Sequence, residues 1–170
     1  MVTNTEDFYE SFKKQIRKFY REQTGEELNE PNVYQKKDLV GRWLFWLYFD
    51  PEFRQNGIYD RIDGIASGTA CEIKTNTYGF NELSKIIIDK SKVDSMPDDG
   101  RVVFLYVDFD DGQLSKRQFT VKDIKKYGEL SHKGGKVDNV SLKDSDKPVY
   151  YVGHEYAEAE ATWKKGGRKS

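Results

Sequence analysis

Tyr59-Asp60-Arg61-Ile62-Asp63-Gly64-Ile65-Ala66-Ser67-Gly68-Thr69-Ala70-Cys71-Glu72-Ile73-Lys74-Thr75 is the stretch on which the reading of this chain turns. Two apolar-rich runs, Ile58 to Ala66 and Ala70 to Thr75, read as strands joined at Ser67-Gly68, a dipeptide suited to a tight hairpin. With the bend there, Ala66 faces Thr69, and counting outward sets Asp63 opposite Glu72. Cross-strand partners share a face with β-carbons ~5 Å apart. Lys74, two residues past Glu72, points the same way. The reverse face then carries Ile62, Ala66, Cys71 and Ile73, an apolar packing side.

Two carboxylates held that close repel each other unless a cation lies between them. Magnesium suits them, because it prefers hard oxygen ligands and keeps several waters. The expected ligands are Asp63, Glu72 and the backbone carbonyl of Ile73, with manganese as a substitute ion. Such a site activates a bound water for attack on phosphorus, and Lys74 would orient or help deprotonate that water and steady the phosphate. A bulge or a one-residue shift in the turn would undo the pairing on which the choice of Asp63 rests.

Outward from this hairpin the chain divides by period. Phe8, Phe12, Ile16, Phe19 and Tyr20 recur at three- and four-residue steps, so an amphipathic helix is expected from Thr5 to about Gln23, with Thr5 as its cap. A second helix, Tyr34 to Phe49, is apolar around most of its circumference, which means full burial or a subunit interface. Beyond the hairpin the reading is a short helix from Asn81 to about Lys92, carrying Leu83 and Ile86 to Ile88. A buried strand Val102 to Phe109, a strand near Arg117 to Val121, a helix Val121 to Leu130 and a last strand Pro148 to Val152 follow. Helices, hairpin, helix and strands in that order indicate an α/β layer with a mixed central sheet.

Composition bounds the function classes. The 170 residues suit one domain, read as residues 1–160, followed by a basic tail, 161–170, expected to be flexible or to bind phosphates. Charged residues are 34% and aromatic ones 14%, the pattern of a solvated surface around an aromatic core rather than of disorder. One Cys and two His exclude an internal disulfide and a zinc cluster, and favour a reducing, cytoplasmic setting. The start MVTNTEDFYE is polar and acidic, unlike a signal segment. The most apolar stretch, Leu39 to Phe49, includes Arg42 and falls well short of the ~20 residues of a membrane span. Net charge is −1, so a nucleic-acid partner would have to meet a local basic lining rather than a global positive field.

Asp63 followed by Glu72-Ile73-Lys74 resembles the PD-(D/E)XK nuclease signature, in which an Asp opens one strand and Glu-x-Lys lies on the next. Ile62 stands where the family name has proline. In order of elements, residues 58 to 153 are similar to small homodimeric type II restriction endonucleases, with counterparts at Gly79-Phe80, Ile86 to Ile88, Val102 to Phe109, Asp123 to Leu130 and Tyr150 to Val152. The resemblance implies a restriction-endonuclease-like α/β fold. It implies a Mg²⁺-dependent endonuclease acting on DNA, sequence-specific in the restriction or homing manner, working as a homodimer without a small-molecule cofactor. A structure-selective nuclease or exonuclease of the same superfamily, or a non-catalytic nucleic-acid-binding module that keeps the fold, is the alternative. In that comparison Asp60 is the alternative to Asp63 as metal ligand. Asn76, Thr77, Tyr78 and Lys85 are the expected DNA contacts. Glu10 and Asp38, on the two preceding helices, are candidate auxiliary acids.

Overall fold

The N-terminal pair of helices is set by side-chain caps and packing. In the computed structural model, which describes residues 4–58, 60–76, 85–131, 136–137, 140–141, 148–164 and 167–168, helix α1 spans Thr5–Thr24. Its cap is Asn4, one residue before the expected Thr5: the Asn4 side chain accepts the backbone NH of Asp7 at 2.8 Å. A planar carboxamide in extended conformation reaches that orphan donor well. Helix α2, Val33–Tyr48, begins with a reciprocal capping box between Asn32 and Gln35. Phe8, Tyr9, Ile16, Phe19 and Tyr20 of α1 and Leu39, Val40, Trp43, Leu44 and Phe45 of α2 are buried in one cluster.

The remaining elements in chain order are β1 (Arg54–Gln55), β2 (Gly64–Ala66), β3 (Thr69–Asn76), β4 (Lys85–Asp89), α3 (Lys90–Asp94), β5 (Arg101–Asp108), β6 (Gln113–Thr120), α4 (Val121–Tyr127), β7 (Glu129–Ser131), β8 (Lys136–Val137), β9 (Val140–Ser141), β10 (Val149–Gly153), a 3₁₀ turn His154–Tyr156, β11 (Glu158–Lys164) and β12 (Gly167–Arg168). The central sheet has the order β1-β2-β3-β5-β6-β11-β12. Only the β3–β5 pairing within it is parallel, so the sheet is mixed as expected. A second, antiparallel sheet runs β4-β10-β7, and β8 pairs with β9.

Strand β5 explains the layering. Its run Arg-Val-Val-Phe-Leu-Tyr-Val-Asp is covered on both faces, so alternation sends successive side chains into two different cores. Val103, Leu105 and Val107 join Cys71 and Ile73 of β3 against α1 and α2. Val102, Phe104 and Tyr106 join Ile86, Ile88, Tyr150, Val152 and Ile124 on the other side. The order of layers is thus helix pair, central sheet, then small sheet with α4. Helix α2 lies close on β3: a Cβ added at Gly41 would lie 1.9 Å from Thr75 Oγ1, so this glycine sets how deeply α2 sits.

Several expectations need correction. Ile86 to Ile88 form strand β4 rather than a helix, with Ile86 and Ile88 buried and Ile87 turned outward. Three β-branched residues in a row favour a pleated surface, and pairing with β10 decides the matter. The start of that expected helix, Asn81 to Leu83, lies outside the described residues, as does Gly79-Phe80. The first hairpin strand begins only at Gly64, not at Ile58, so alternation does not extend back to Ile62. That side chain packs with the small-sheet core instead of with Cys71 and Ile73. Helix α4 stops at Tyr127, and Glu129–Ser131 is extended beside β10. Strand β11 lengthens the central sheet beside β6 and continues to Lys164, past the start of the expected tail. Among the described residues no helix is long and apolar enough to cross a membrane.

Candidate active site

The hairpin forms at the expected turn. Ser67 (φ 52°) and Gly68 (φ 78°) both occupy the left-handed region, the requirement of a two-residue turn whose twist matches its strands. The register is Ala66 with Thr69, Ile65 with Ala70 and Gly64 with Cys71. The next pair outward is Asp63 with Glu72, and here the two strands part. The carbonyl of Asp63 accepts the backbone NH of Asn56 at 2.8 Å, continuing the β1–β2 ladder, and the carbonyl of Ile62 is held by the Asn56 side chain at 2.9 Å. Oδ2 of Asp63 then accepts the backbone NH of Ile73 at 2.7 Å. The backbone NH of Asp63 in turn faces Oε1 of Glu72 at 3.3 Å. The two acids are therefore joined through main-chain donors at the fork of the hairpin.

Both are buried, Asp63 at 9% and Glu72 at 3% exposure, and buried carboxylates require compensating cations. Asp63 Oδ1 is met by Arg42 Nη2 of α2 at 2.7 Å. The same guanidinium also donates from Nη1 to the carbonyl of Asn56 at 3.1 Å and toward Gln55 Oε1 at 3.4 Å. Glu72 Oε2 is met by Lys92 Nζ of α3 at 3.2 Å. Lys92 also donates to the carbonyl of Arg61, whose guanidinium ties back to the Ser91 carbonyl at 3.0 Å and to the Ser95 hydroxyl.

These two pairings do not discharge the site. Desolvation, and after it the negative charge of Asp63, push the Glu72 carboxyl from its ordinary 4.5 up to about 7, against the pull of Lys92 and Lys74. Lys74 extends β3 two residues beyond Glu72, on the same face, opposite Phe104 of β5. It is half-buried and, among the described residues, has no ion-pair partner, so its charge is available to a ligand.

Of the remaining candidates, Asp38 reaches the site electrically. Water touches its side chain, yet the protein crowding around the carboxylate, and then the charge of Asp63, raise its pKa, while Arg42, Lys74 and Lys37 draw it down. Glu10 instead pairs with Lys36 at 3.6 Å and Lys13 at 4.0 Å on the surface. Asp60 is exposed and accepts the backbone NH of Gly57 at 2.9 Å in a turn; the carboxylate bonded to the Glu72 strand is Asp63. Asn76 ends β3 opposite Tyr106. Lys85 opens β4 opposite Gly153. Its side chain, and Thr77 and Tyr78 entirely, lie outside the described residues.

Arg42 and Lys92 were not among the expected site residues. Arg42 had a signal in the sequence: a lone cation inside Leu39-Val40-Gly41-Arg42-Trp43-Leu44-Phe45 must find an anion once the helix is buried. Lys92 had none, because its place depends on how the short helix α3 docks.

Among the described residues no group of three or more His, Cys, Asp or Glu side chains surrounds a metal position. Two desolvated carboxylates, one with its pKa forced upward, suit a hard divalent cation that keeps most of its own waters. No family model, curated protein or solved structure matches the chain.

Proposed function

We propose that this chain is a magnesium-dependent deoxyribonuclease of the PD-(D/E)XK type, with a restriction-endonuclease-like fold. It cuts phosphodiester bonds in DNA at specific sequences, in the manner of restriction or homing endonucleases, and acts as a homodimer. Two strands of a duplex and one site per chain are most simply matched by two-fold symmetry. The observation that carries the reading is the fork of the hairpin, where Asp63 and Glu72 meet with Lys74 on the same face as Glu72.

Each side chain has a distinct task. Arg42 holds Asp63 in one orientation, so its carboxylate is aimed without loss of time to rotation. Glu72 must be ionised to act, and the burial and the charge of Asp63 that hold its pKa up are relieved by the uptake of a cation. Lys74 brings a positive charge to the non-bridging oxygens of the phosphate and to the attacking water. A bound magnesium ion supplies acidification of that water and charge balance at phosphorus.

A second reading has its own support. All four oxygens of the two carboxylates already face donors: Arg42, the Ile73 NH, the Asp63 NH and Lys92. That pattern also suits a buried charge network in a non-catalytic nucleic-acid-binding module. Incubation of supercoiled plasmid with the chain, with and without MgCl₂, separates the two. The expected result is discrete fragments with Mg²⁺ only, and a loss on the order of a hundredfold or more for Asp63→Asn, Glu72→Gln and Lys74→Met. Progressive loss of linear ends identifies an exonuclease instead. DNA retention without cleavage, or three variants as active as the parent, rejects the catalytic assignment.

A further inference from the structure

The two cations that serve the carboxylate pair are built differently. The Arg42 guanidinium is 2% exposed and bound to three separate acceptors from Gln55, Asn56 and Asp63. Removing it would leave buried acceptors without donors. The Lys92 side chain is 27% exposed and belongs to a five-residue helix. It reaches Glu72 through a flexible four-carbon stem, and its ammonium can return to water at little cost. Its other acceptor, the Arg61 carbonyl, belongs to a segment that Arg61 itself pins to α3 through Ser91 and Ser95. The Arg61 segment and α3 are thus joined by bonds that do not involve Lys92.

We infer that Lys92 is an exchangeable counter-ion of Glu72, occupying the carboxylate oxygen that a divalent cation must take, so that metal enters only as Lys92 withdraws. This rests on the reading of Asp63 and Glu72 as metal-binding carboxylates. An ammonium 3.2 Å from Oε2 and a divalent cation on the same oxygen would stand as like charges a few ångströms apart. That repulsion favours withdrawal of the lysine as the metal binds. The arrangement keeps the acidic fork intact while no metal is bound. It also lowers the apparent metal affinity by the free energy needed to displace the lysine.

The test measures metal binding, not cleavage. Mn²⁺ is titrated into the full chain at pH 8, with free Mn²⁺ followed by electron paramagnetic resonance and Mg²⁺ added as competitor. Lys92→Met is expected to bind Mn²⁺ on the order of ten- to a hundredfold more tightly than the parent. Lys92→Arg, which keeps the charge and the reach, should stay near the parent value. Lys90→Met removes a charge from the same helix, but from a lysine paired with Asp94, and should change little. Glu72→Gln should abolish binding in both the parent and the Lys92→Met chain. Should Lys92→Met fail to fold, Lys92→Gln replaces it.

Equal or weaker affinity in the neutral variants, an equal gain in Lys90→Met, or binding that survives Glu72→Gln overturns the inference. So does the absence of Mn²⁺ binding in every variant. Tighter binding in Lys92→Met without plasmid cleavage would overturn the nuclease reading and leave the exchange intact. Cleavage with unchanged affinities would do the reverse.

Discussion

Asp63 and Glu72 sit on opposite arms of one hairpin, each buried and each facing a cation, yet the two pairs belong to different kinds of structure. The Arg42–Asp63 pair ties α2 to the fork of the sheet through a fully enclosed guanidinium. The Lys92–Glu72 pair is half open, set against a five-residue helix, and leaves the Glu72 pKa raised to about 7. Fixed geometry is thus concentrated on one side of the fork and unmet charge on the other. That asymmetry is the one required of a site that orients one carboxylate and keeps the other ready for a cation.

The largest expected effect strikes the rigid side. Arg42→Met removes the enclosed cation bonded to Asp63 and leaves a buried anion behind, a loss of roughly 3–5 kcal/mol. For a chain of this length that corresponds to a fall in melting temperature of about 10 °C or more. Adding Asp63→Asn to Arg42→Met should recover part of the loss, because the anion is then gone. Lys92→Met should cost less, because Glu72, with its pKa already raised to about 7, takes up a proton near neutrality once the ammonium is gone. Thermal melts of the four chains decide the point, and equal losses from the two cation deletions would break the contrast.

Next comes Glu72. Its pKa in the folded chain is raised, so between 4.5 and about 7 the native state holds a proton that the unfolded state has released. Stability therefore falls as pH rises through that window. Glu72→Gln removes the burden, and the gain should be absent below pH 4.5, grow across the window, and level off above pH 7 at about 3 kcal/mol. Urea unfolding at pH 4.5 and pH 8 measures it. A variant that gains stability while losing cleavage marks a residue retained for function at a cost to folding. A stability loss at pH 8 would show that Glu72 is a structural group.

What was legible in the sequence follows from periodicity. The helices α1 and α2 carry many apolar residues at helical steps, and β5 is an unbroken apolar run between turns, so each could be placed within a residue or two. The hairpin register followed from one good turn as far as Gly64 with Cys71; Asp63 and Glu72 approach beyond the paired rungs, through a main-chain donor. Short apolar runs failed for a physical reason: Ile86-Ile87-Ile88 has too few residues to show a period, and pairing with β10, remote in sequence, settles it. Strand β11 carries alternating acidic and small residues at its start, so its pairing with β6 was hidden by polarity. The counter-ions were harder still. Both are lysine or arginine on helices, and their role depends on docking that a one-dimensional pattern does not encode.

Asp38 offers the smallest effect and the finest test of where the site ends. It lies four residues before Arg42 on α2, hence on the same helix face, and the charge of Asp63 acts on it directly. Because its side chain is open to water, Asp38→Asn should alter stability by no more than about 0.5 kcal/mol. If its charge assists the chemistry, cleavage at pH 8 should drop about tenfold, equivalent to about 1.4 kcal/mol in the barrier. The pH dependence identifies the cause. The Asp38 pKa is raised, so as pH falls the parent side chain becomes neutral sooner than an ordinary aspartate would. The ratio of parent to variant rates must then shrink toward one on the acid side, even while Glu72 titrates in both chains alike. A ratio constant with pH would mean that the amide disturbs shape rather than charge. A ratio of one throughout would return Asp38 to the solvated face of its helix and confine the site to the fork, Lys74 and the two counter-ions.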